Sequence, residues 1–142
     1  MRCENISTGR LDYYVENSEA VFIDLRSRQE YEKMHIKGAV NIPFEEMEQQ
    51  LQNNYRNTNI NTNIKNSSGG IVLNNTFYDR NTVFIVYCDR GSKSMMICPK
   101  LAARGFRSRR CARIISAFSS LFSIIIFPSS ICFDRRFDET DR

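Results

Sequence analysis

The chain has 142 residues, of which 42% are hydrophobic and 25% are charged, and its formal net charge is +4. This length predicts a single domain that buries a core without metal or disulfide staples. The only histidine and an odd number of cysteines, five, without close Cys-x-x-Cys spacing indicate neither a metal site nor a disulfide framework. The first residues also lack the apolar run of a secretory signal. We therefore expect reduced thiols, no metal, no cofactor and a cytoplasmic location.

The first part of the chain alternates strand-forming runs with helical segments. The apolar run 20–25 predicts a strand. Ser27, with Glu30 three positions later, predicts the capped start of a short helix. Residues 39–43 predict a brief strand that a proline ends, and residues 44–51 predict a second helix with glutamates in its first turn.

A change of composition follows the second helix. Residues 52–66 are dominated by asparagine, which competes for backbone hydrogen bonds and favours turns. We interpret residues 52–80 as a mobile surface insertion with a weak hairpin near 71–73. Polar tracts of this kind are usually linkers, so we assign no metal or ligand to it.

The next strand and helix surround the most informative residue of the chain. The apolar run 83–87 predicts a central strand buried on both faces, and residues 95–104 predict a helix in which Pro99 is unfavourable and which Gly105 caps. Alternating strands and helices predict an α/β domain with a small, mainly parallel sheet flanked by helices. Ligands of such sheets bind at the carboxyl ends of strands, which is where Cys88 lies.

The polar loop after Cys88 suits a nucleophilic thiol. The strand fixes the sulfur, backbone N–H groups of the loop can converge on it, and the N-terminus of the next helix favours the thiolate. Arg90 and Lys93 add to this stabilisation, whereas Asp89 opposes it unless it points outward. The alternative is a small buried hydrophobe, the interpretation that we adopt for the other four cysteines. Those are Cys3, Cys98, Cys111 and Cys132.

Two separated motifs resemble the rhodanese-like (sulfurtransferase) domains. The first motif runs from 22 to 31 and continues over 35–43, and the second runs from 86 to 94 and continues over 101–106. Together they cover about half of the chain, in the family's order. The resemblance implies an α/β rhodanese-like core over residues 1–113, with the active-site loop at the carboxyl end of a strand.

The resemblance further implies a sulfurtransferase that works through a persulfide on Cys88. Cys88 would take sulfane sulfur from thiosulfate or another persulfide and pass it to cyanide, a thiol or a sulfur-carrier protein. The alternative is a non-catalytic rhodanese-like module that binds a partner or senses persulfides. The loop residues expected to bind the small anionic donor are Asp89, Arg90, Gly91, Ser92, Lys93 and Ser94.

The first motif supplies residues with implied structural roles. Asp24, Arg26 and Glu30 would form a charged network that orients loops near the site, and His35 would belong to a structural turn rather than act as a base. Related phosphatases close a longer loop with an arginine six positions after the cysteine, where this chain has Ser94. Phosphatase or arsenate-reductase activity is therefore disfavoured, because phosphoryl chemistry depends heavily on arginine.

An arginine cluster follows the second motif. No aromatic residue lies among the arginines of 107–113, so we interpret the cluster as a solvated face and expect no nucleic acid as partner. The cluster comprises Arg104, Arg107, Arg109, Arg110 and Arg113.

After Phe106 the sequence departs from the family pattern. Residues 114–133 carry no charge and are long enough to span a bilayer. Their apolar positions nevertheless fall on one helical stripe, which favours a closing helix packed on the sheet over a membrane anchor. A third interpretation of this atypical tail, residues 114–142, is an aberrant terminus.

Overall fold

The computed structural model describes residues 3–16, 20–60, 70–111 and 125–126. The elements are β1 (Glu4–Asn5), a 3-10 helix (Thr8–Arg10), α1 (Leu11–Glu16), β2 (Ala20–Asp24), α2 (Arg28–Lys33), β3 (His35–Ile36), β4 (Val40–Asn41), α3 (Phe44–Ile60), β5 (Ile71–Leu73), β6 (Thr76–Tyr78), β7 (Val83–Tyr87), α4 (Ser92–Ala103), β8 (Arg107–Cys111) and β9 (Ile125–Ile126).

The central feature of the fold is a sheet with the strand order β1-β8-β7-β2-β4. Every neighbouring pair in this sheet is parallel, which confirms the predicted α/β class.

Strand β7 is the centre of the sheet, as its apolar sequence predicts. It pairs with β2 on one side and β8 on the other. Ile85 and Tyr87 pack into a core cluster beneath α1, whereas Phe84, Val86 and Cys88 pack into the cluster beneath α3 and α4. Since Cys88 continues this alternation, it is buried beneath α3 and α4 at the carboxyl end of the strand.

The predicted elements before the asparagine-rich segment are confirmed. Helix α2 begins after Ser27, whose Oγ accepts a hydrogen bond from the Glu30 N–H (3.3 Å). The strand expected within 39–43 is β4, and the helix expected from Phe44 is α3. Local capping and apolar patterning are therefore sufficient to position this part of the fold.

The predicted start of the surface insertion is wrong. Helix α3 does not end at Leu51 but continues to Ile60. The Asn54 amide fastens it to the hairpin β5–β6, because it donates to the Val72 carbonyl (2.8 Å) and accepts from the Val72 N–H (2.9 Å). The hairpin itself was expected, and its inward side chains belong to the core. Residues 61–69 lie outside the described residues, so mobility of that segment stays a prediction.

Helix α4 begins at Ser92, before the predicted start at Met95, so its first turn belongs to the loop that follows Cys88. Pro99 lies in the interior of the helix on its exposed side, where a proline costs about 3 kcal/mol relative to a helix-forming residue. Gly105 follows the helix with a φ of +95°, as expected of a C-terminal glycine.

Strand β8 was not predicted, because its sequence Arg-Ser-Arg-Arg-Cys lacks the apolar alternation of a strand. It forms because β1 and β7 pair with it from both sides. Ser108 is buried against α4, and its hydroxyl donates to the Cys98 carbonyl (2.8 Å). Arg104, Arg109 and Arg110 are half-buried, so the interpretation of the arginine cluster as a solvated face is wrong for these three residues. Arg107 is exposed, and Arg113 lies outside the described residues.

Two residues of the C-terminal tail are described. Ile125 and Ile126 form β9, which pairs antiparallel with β3, so the predicted helix is wrong at these positions. The other residues of 114–142, and with them the choice among the three interpretations, lie outside the described residues. Among the helices that the structure describes, none combines the length and apolar character needed to cross a membrane.

The expectation of reduced cysteines is also wrong. Cys3 and Cys98 form a disulfide with a Cα–Cα distance of 5.6 Å, which ties the N-terminal segment to α4. They are 95 residues apart in sequence, so only the folded chain brings them together. Cys88 and Cys111 are buried and take no part in a disulfide, and for Cys111 this is the state expected of a small buried residue. Cys132 lies outside the described residues.

We expect reduction of the Cys3–Cys98 disulfide to lower the free energy of unfolding by about 2–4 kcal/mol, because a cross-link over a long loop restricts the unfolded chain. Urea unfolding with and without reductant measures this difference. The double variant Cys3→Ser, Cys98→Ser is the control, and its stability should not respond to reductant. Equal stability of the oxidised and reduced wild-type protein would contradict the bond.

Candidate active site

Cys88 lies at the carboxyl end of β7, where the chain turns into α4, and its side chain is fully buried. Its Sγ accepts hydrogen bonds from the backbone N–H groups of Gly91 (3.1 Å) and Ser94 (3.4 Å). Hydrogen bonds to an ionised acceptor are roughly twice as strong as those to a neutral one. Both bonds would therefore strengthen if the sulfur carried a negative charge.

Gly91 makes this arrangement sterically accessible. Its φ of +87° is in the left-handed region, which glycine adopts without the cost that a Cβ imposes. The residue presents its N–H to Cys88, while its carbonyl accepts from the Met95 N–H (3.0 Å) and begins α4. No side chain caps this helix. Backbone N–H groups of its first turn, and the positive end of its dipole, therefore face the sulfur rather than a capping side chain.

Ser94 closes the loop from within the first turn of α4. Its buried hydroxyl donates to the Gly91 carbonyl (3.0 Å) and lies 3.7 Å from Cys88 Sγ. The loop thus ends with a hydroxyl at the sequence position where the related phosphatases were expected to carry an arginine. The argument against phosphoryl chemistry stays a prediction.

The charged residues of the loop lie at its surface. Arg90 and Ser92 are exposed and Lys93 is half-buried, and in the described structure the Arg90 and Lys93 side chains form no hydrogen bond or ion pair. Asp89 is exposed and accepts a hydrogen bond from the Arg90 N–H (3.2 Å), so its charge points away from the sulfur. Both cations therefore remain available to an incoming anion.

Arg110 is a cation near the loop that sequence reasoning missed. It lies on β8 on the same face as Ser108, and its guanidinium donates to the Gly91 carbonyl (3.4 Å). In the sequence, Arg110 lies two residues after Ser108, which places both side chains on one face if the segment is a strand. This spacing could point to Arg110 only after β8 had been recognised as a strand. Arg110 contacts the residue whose N–H binds Cys88, so it supports the loop and adds positive potential beside it.

Asp24 and Arg26 form a buried ion pair at the end of β2. Arg26 Nε and Nη2 donate to the Asp24 carboxylate at 3.0 and 2.8 Å, and the Arg26 backbone N–H donates to it at 2.9 Å. The exposed fractions of the two side chains are 0% and 4%. Nη2 also donates to the Met34 carbonyl (2.6 Å), so the pair joins the sheet to the segment after α2.

Tyr87, the residue before the candidate nucleophile, lies next to this ion pair. Its ring lies 5.8 Å from the Arg26 guanidinium carbon, and its hydroxyl accepts from the Ile36 N–H (3.2 Å). Burial, reinforced by the Asp24 carboxylate, raises the pKa of Tyr87 well above its usual value. The phenol is therefore neutral and acts as a fixed structural link.

Glu30 and His35 lie in the α2–β3 segment. The charge of Glu30 interacts favourably with Arg26. His35 stacks on Tyr31 with ring centroids 3.7 Å apart, and its Nδ1 donates to the Tyr31 carbonyl (2.7 Å). In the described part of the chain neither side chain hydrogen-bonds to Cys88, and no group of three or more His, Cys, Asp or Glu residues could hold a metal. Their roles as structural support stay predictions.

We expect Asp24→Asn to lower the free energy of unfolding by about 3–5 kcal/mol, because it leaves the buried Arg26 charge without a counterion. Glu48→Gln is the matched control. The Lys100–Glu48 pair has the same N–O distance, 2.8 Å, but is partly exposed, so its loss should cost less than about 1 kcal/mol. Urea unfolding of both variants measures the difference, and equal losses would contradict a special structural role for the buried pair.

Comparison with known families gives one match. A family model, the rhodanese-like domain, matches residues 7–116 and so covers most of the chain. No curated protein matches the sequence.

Solved structures share the fold at low sequence identity. A rhodanese-related protein from Thermoplasma volcanium is 15% identical with a TM-score of 0.60, over 87% of this chain and 97% of that one. The human single-domain sulfurtransferase TSTD1 is 24% identical with a TM-score of 0.51, over 78% and 89% of the two chains. Reduced CoADR-RHD from Bacillus anthracis is 17% identical with a TM-score of 0.62 over 88% of this chain, which spans only 18% of that protein. These similarities confirm the rhodanese-like α/β fold.

Proposed function

Because the chain belongs to the rhodanese-like domain family, we propose that it is a sulfurtransferase that carries sulfane sulfur as a persulfide on Cys88. The observation that carries this proposal is the pair of backbone N–H groups bonded to the Cys88 sulfur, from Gly91 and Ser94. Preorganised backbone donors stabilise negative charge without reorganising during a reaction. Both the thiolate and the persulfide that would replace it are anions.

The proposed reaction has two displacement steps. The Cys88 thiolate attacks the outer sulfur of thiosulfate, a new S–S bond forms, and the old S–S bond breaks with its electron pair leaving on sulfite. An acceptor such as cyanide or a thiol then attacks the terminal sulfur of the persulfide and restores the thiolate. Each step conserves charge and needs no cofactor, and covalent catalysis of this kind has ping-pong kinetics.

The donor in this proposal is a small anion, and the loop surroundings favour one. Arg90 and Lys93 lie at the surface of the loop, and Arg110 contacts it from β8. Such a group of cations raises the local concentration of anions. The proposed acceptors are cyanide, a thiol or a sulfur-carrier protein. A cytoplasmic location also remains a proposal, and the Cys3–Cys98 disulfide weighs against it because such bonds are rare in that compartment.

The complete burial of Cys88 favours a second candidate, a module that holds or senses a persulfide without turning over. A donor and an acceptor both have to reach the sulfur, which has no exposed surface. Slow access would allow a persulfide to form and persist. Turnover is therefore the property that separates the two candidates.

We expect thiosulfate to add the mass of one sulfur atom to the protein, and we expect Cys88→Ser to abolish this adduct. Cys111→Ser is the matched control, because Cys111 is also buried and outside the disulfide but lies in the other core cluster. Intact-mass spectrometry measures the adduct, and a thermal melt verifies folding of each variant. A folded wild-type protein without the adduct, or an adduct that Cys88→Ser retains, would overturn the proposal.

The same sample distinguishes the two candidates. Cyanide added to the persulfide form should release thiocyanate and remove the extra mass if the protein turns over. A persulfide that survives both cyanide and thiols would instead support the binding or sensing module.

We expect Arg110→Gln to raise KM for thiosulfate several-fold with a smaller change in kcat, since it removes a positive charge beside the loop. Arg110→Lys, which keeps the charge, should recover most of the loss. Arg80→Gln is the control, because Arg80 is an exposed arginine in the turn before β7, at the opposite edge of the sheet. Steady-state kinetics at two salt concentrations test the effect, and a KM that neither Arg110 variant changes would contradict it.

A further inference from the structure

A cavity of about 690 Å³ opens at the amino-terminal edge of the central sheet. It lies between the 3-10 helix, α1 and the first residues of β7 and β8. This volume is in the range of sites that bind small molecules, roughly 300–1,000 Å³. The residues that define its character are Arg10, Tyr13, Tyr14, Val83, Arg107 and Arg109.

The cavity is separate from the candidate active site. Val83 lines the cavity at the start of β7, whereas Cys88 follows the other end of the strand, about 16 Å away at about 3.3 Å per residue. Tyr14 belongs to the core cluster beneath α1, and Cys88 belongs to the cluster on the opposite face. A ligand in the cavity would therefore not contact the Cys88 loop.

The described lining of the cavity is strongly basic. It contains three arginines and no acidic residue. Arg10 and Arg107 are exposed, and neither side chain has a hydrogen bond or ion pair with another described residue. Two guanidinium groups without a counterion among the described side chains attract anions at the mouth of a concave site, and their planar donors match phosphate.

The third arginine is held in place. Arg109 Nη1 donates to the Tyr14 hydroxyl (2.7 Å), and its guanidinium carbon lies 5.8 Å from the Tyr14 ring. Arg109 also forms an ion pair with Glu4 at 3.7 Å. Because Tyr14 is almost fully buried, it fixes Arg109 as a rigid part of the wall.

An exposed aromatic ring lies beside these arginines. Tyr13 is 54% exposed and makes an edge contact with Tyr14, with ring centroids 5.4 Å apart. In the sequence no aromatic residue lies among the arginines of 107–113, which was the reason to expect no nucleic-acid contact. Folding supplies the missing element, because α1 places two tyrosines against the arginines of β8.

We propose that this cavity binds a nucleoside phosphate, with the base against the Tyr13 ring and the phosphates on Arg10 and Arg107. Arginine forks bind phosphate oxygens in pairs, and an aromatic ring stacks on any base. An inorganic anion would use only the arginines, and an uncharged nucleoside would use only the tyrosine. This inference is independent of the sulfur-transfer proposal.

Isothermal titration calorimetry of the full chain with ADP, pyrophosphate and adenosine tests the proposal. We expect ADP to bind most tightly, because it alone engages both the arginines and Tyr13. Raising the salt concentration should weaken ADP binding, since exposed charges are screened. No detectable binding of ADP would overturn the proposal, and so would pyrophosphate binding as tightly as ADP.

Three variants locate the binding site. We expect Arg10→Gln together with Arg107→Gln to raise the Kd for ADP by more than about tenfold, since two phosphate contacts are lost. Tyr13→Ala should raise the Kd for ADP by at least about fivefold and leave that for pyrophosphate unchanged, because only the base stacks on the ring. Arg28→Gln, at an exposed arginine on α2, is the charge-matched control. The affected residues are exposed, so the variants should fold, which a thermal melt verifies.

Titration with a short 5′-phosphorylated oligoadenylate distinguishes a site for free nucleotides from a site for the end of a nucleic-acid strand. Tighter binding of the oligonucleotide than of ADP, with the same dependence on Tyr13 and Arg107, would assign the site to the end of a nucleic-acid strand. The reverse order would assign it to free nucleotides. ADP binding that none of the cavity variants weakens would overturn the assignment of the site.

Discussion

The Cys88 loop and the arginine-lined cavity both depend on a single constraint, the burial of β7 between two neighbouring strands and two layers of helices. Phe84, Ile85, Val86 and Tyr87 are each 0% exposed, so the strand has no freedom to shift or tilt. The parallel sheet places polar residues of the chain at its two opposite edges. Cys88 and its loop occupy the carboxyl edge, where α4 begins, and the arginine-lined cavity occupies the amino edge. The distance between the two sites is therefore set by the length of this strand.

The features that could be predicted from the sequence are those that local chemistry determines. The apolar run of β7, the Ser27 cap of α2 and the thiol after a buried strand each depend on neighbouring residues only. Such patterns identified the α/β class, the candidate nucleophile and the loop around it. Asp24 and Arg26 were identified through the family resemblance, and their direct pairing follows from a spacing of two residues at the end of a strand.

The features that could not be predicted depend on contacts between distant segments. Strand β8 has a polar sequence and exists only because β1 and β7 flank it. The Cys3–Cys98 disulfide, the contact of Arg110 with Gly91 and the approach of Tyr14 to Arg109 all follow from that strand or from its packing on α4. Because β8 could not be predicted from the sequence, none of these interactions could be predicted either, since each depends on the position of β8.

The two ends of α4 are held by different kinds of contact. The second half of the helix is anchored: Cys98 is bonded to Cys3 and its carbonyl accepts from Ser108, and Arg104 donates to the Leu51 carbonyl (2.6 Å). The first turn lacks a capping side chain and begins at a glycine in the left-handed region, and the residues before it are exposed. Displacing the whole helix would break a covalent bond and expose the core beneath it. Displacing only the segment 89–91 breaks the hydrogen bond from Gly91 to Cys88, the contacts of Ser94 and Arg110 with the Gly91 carbonyl and the first bond of the helix. The segment 89–91 is therefore held by weaker interactions than the rest of α4. If Cys88 takes sulfur from a donor as proposed, the residue whose N–H binds its sulfur lies in this weakly held segment.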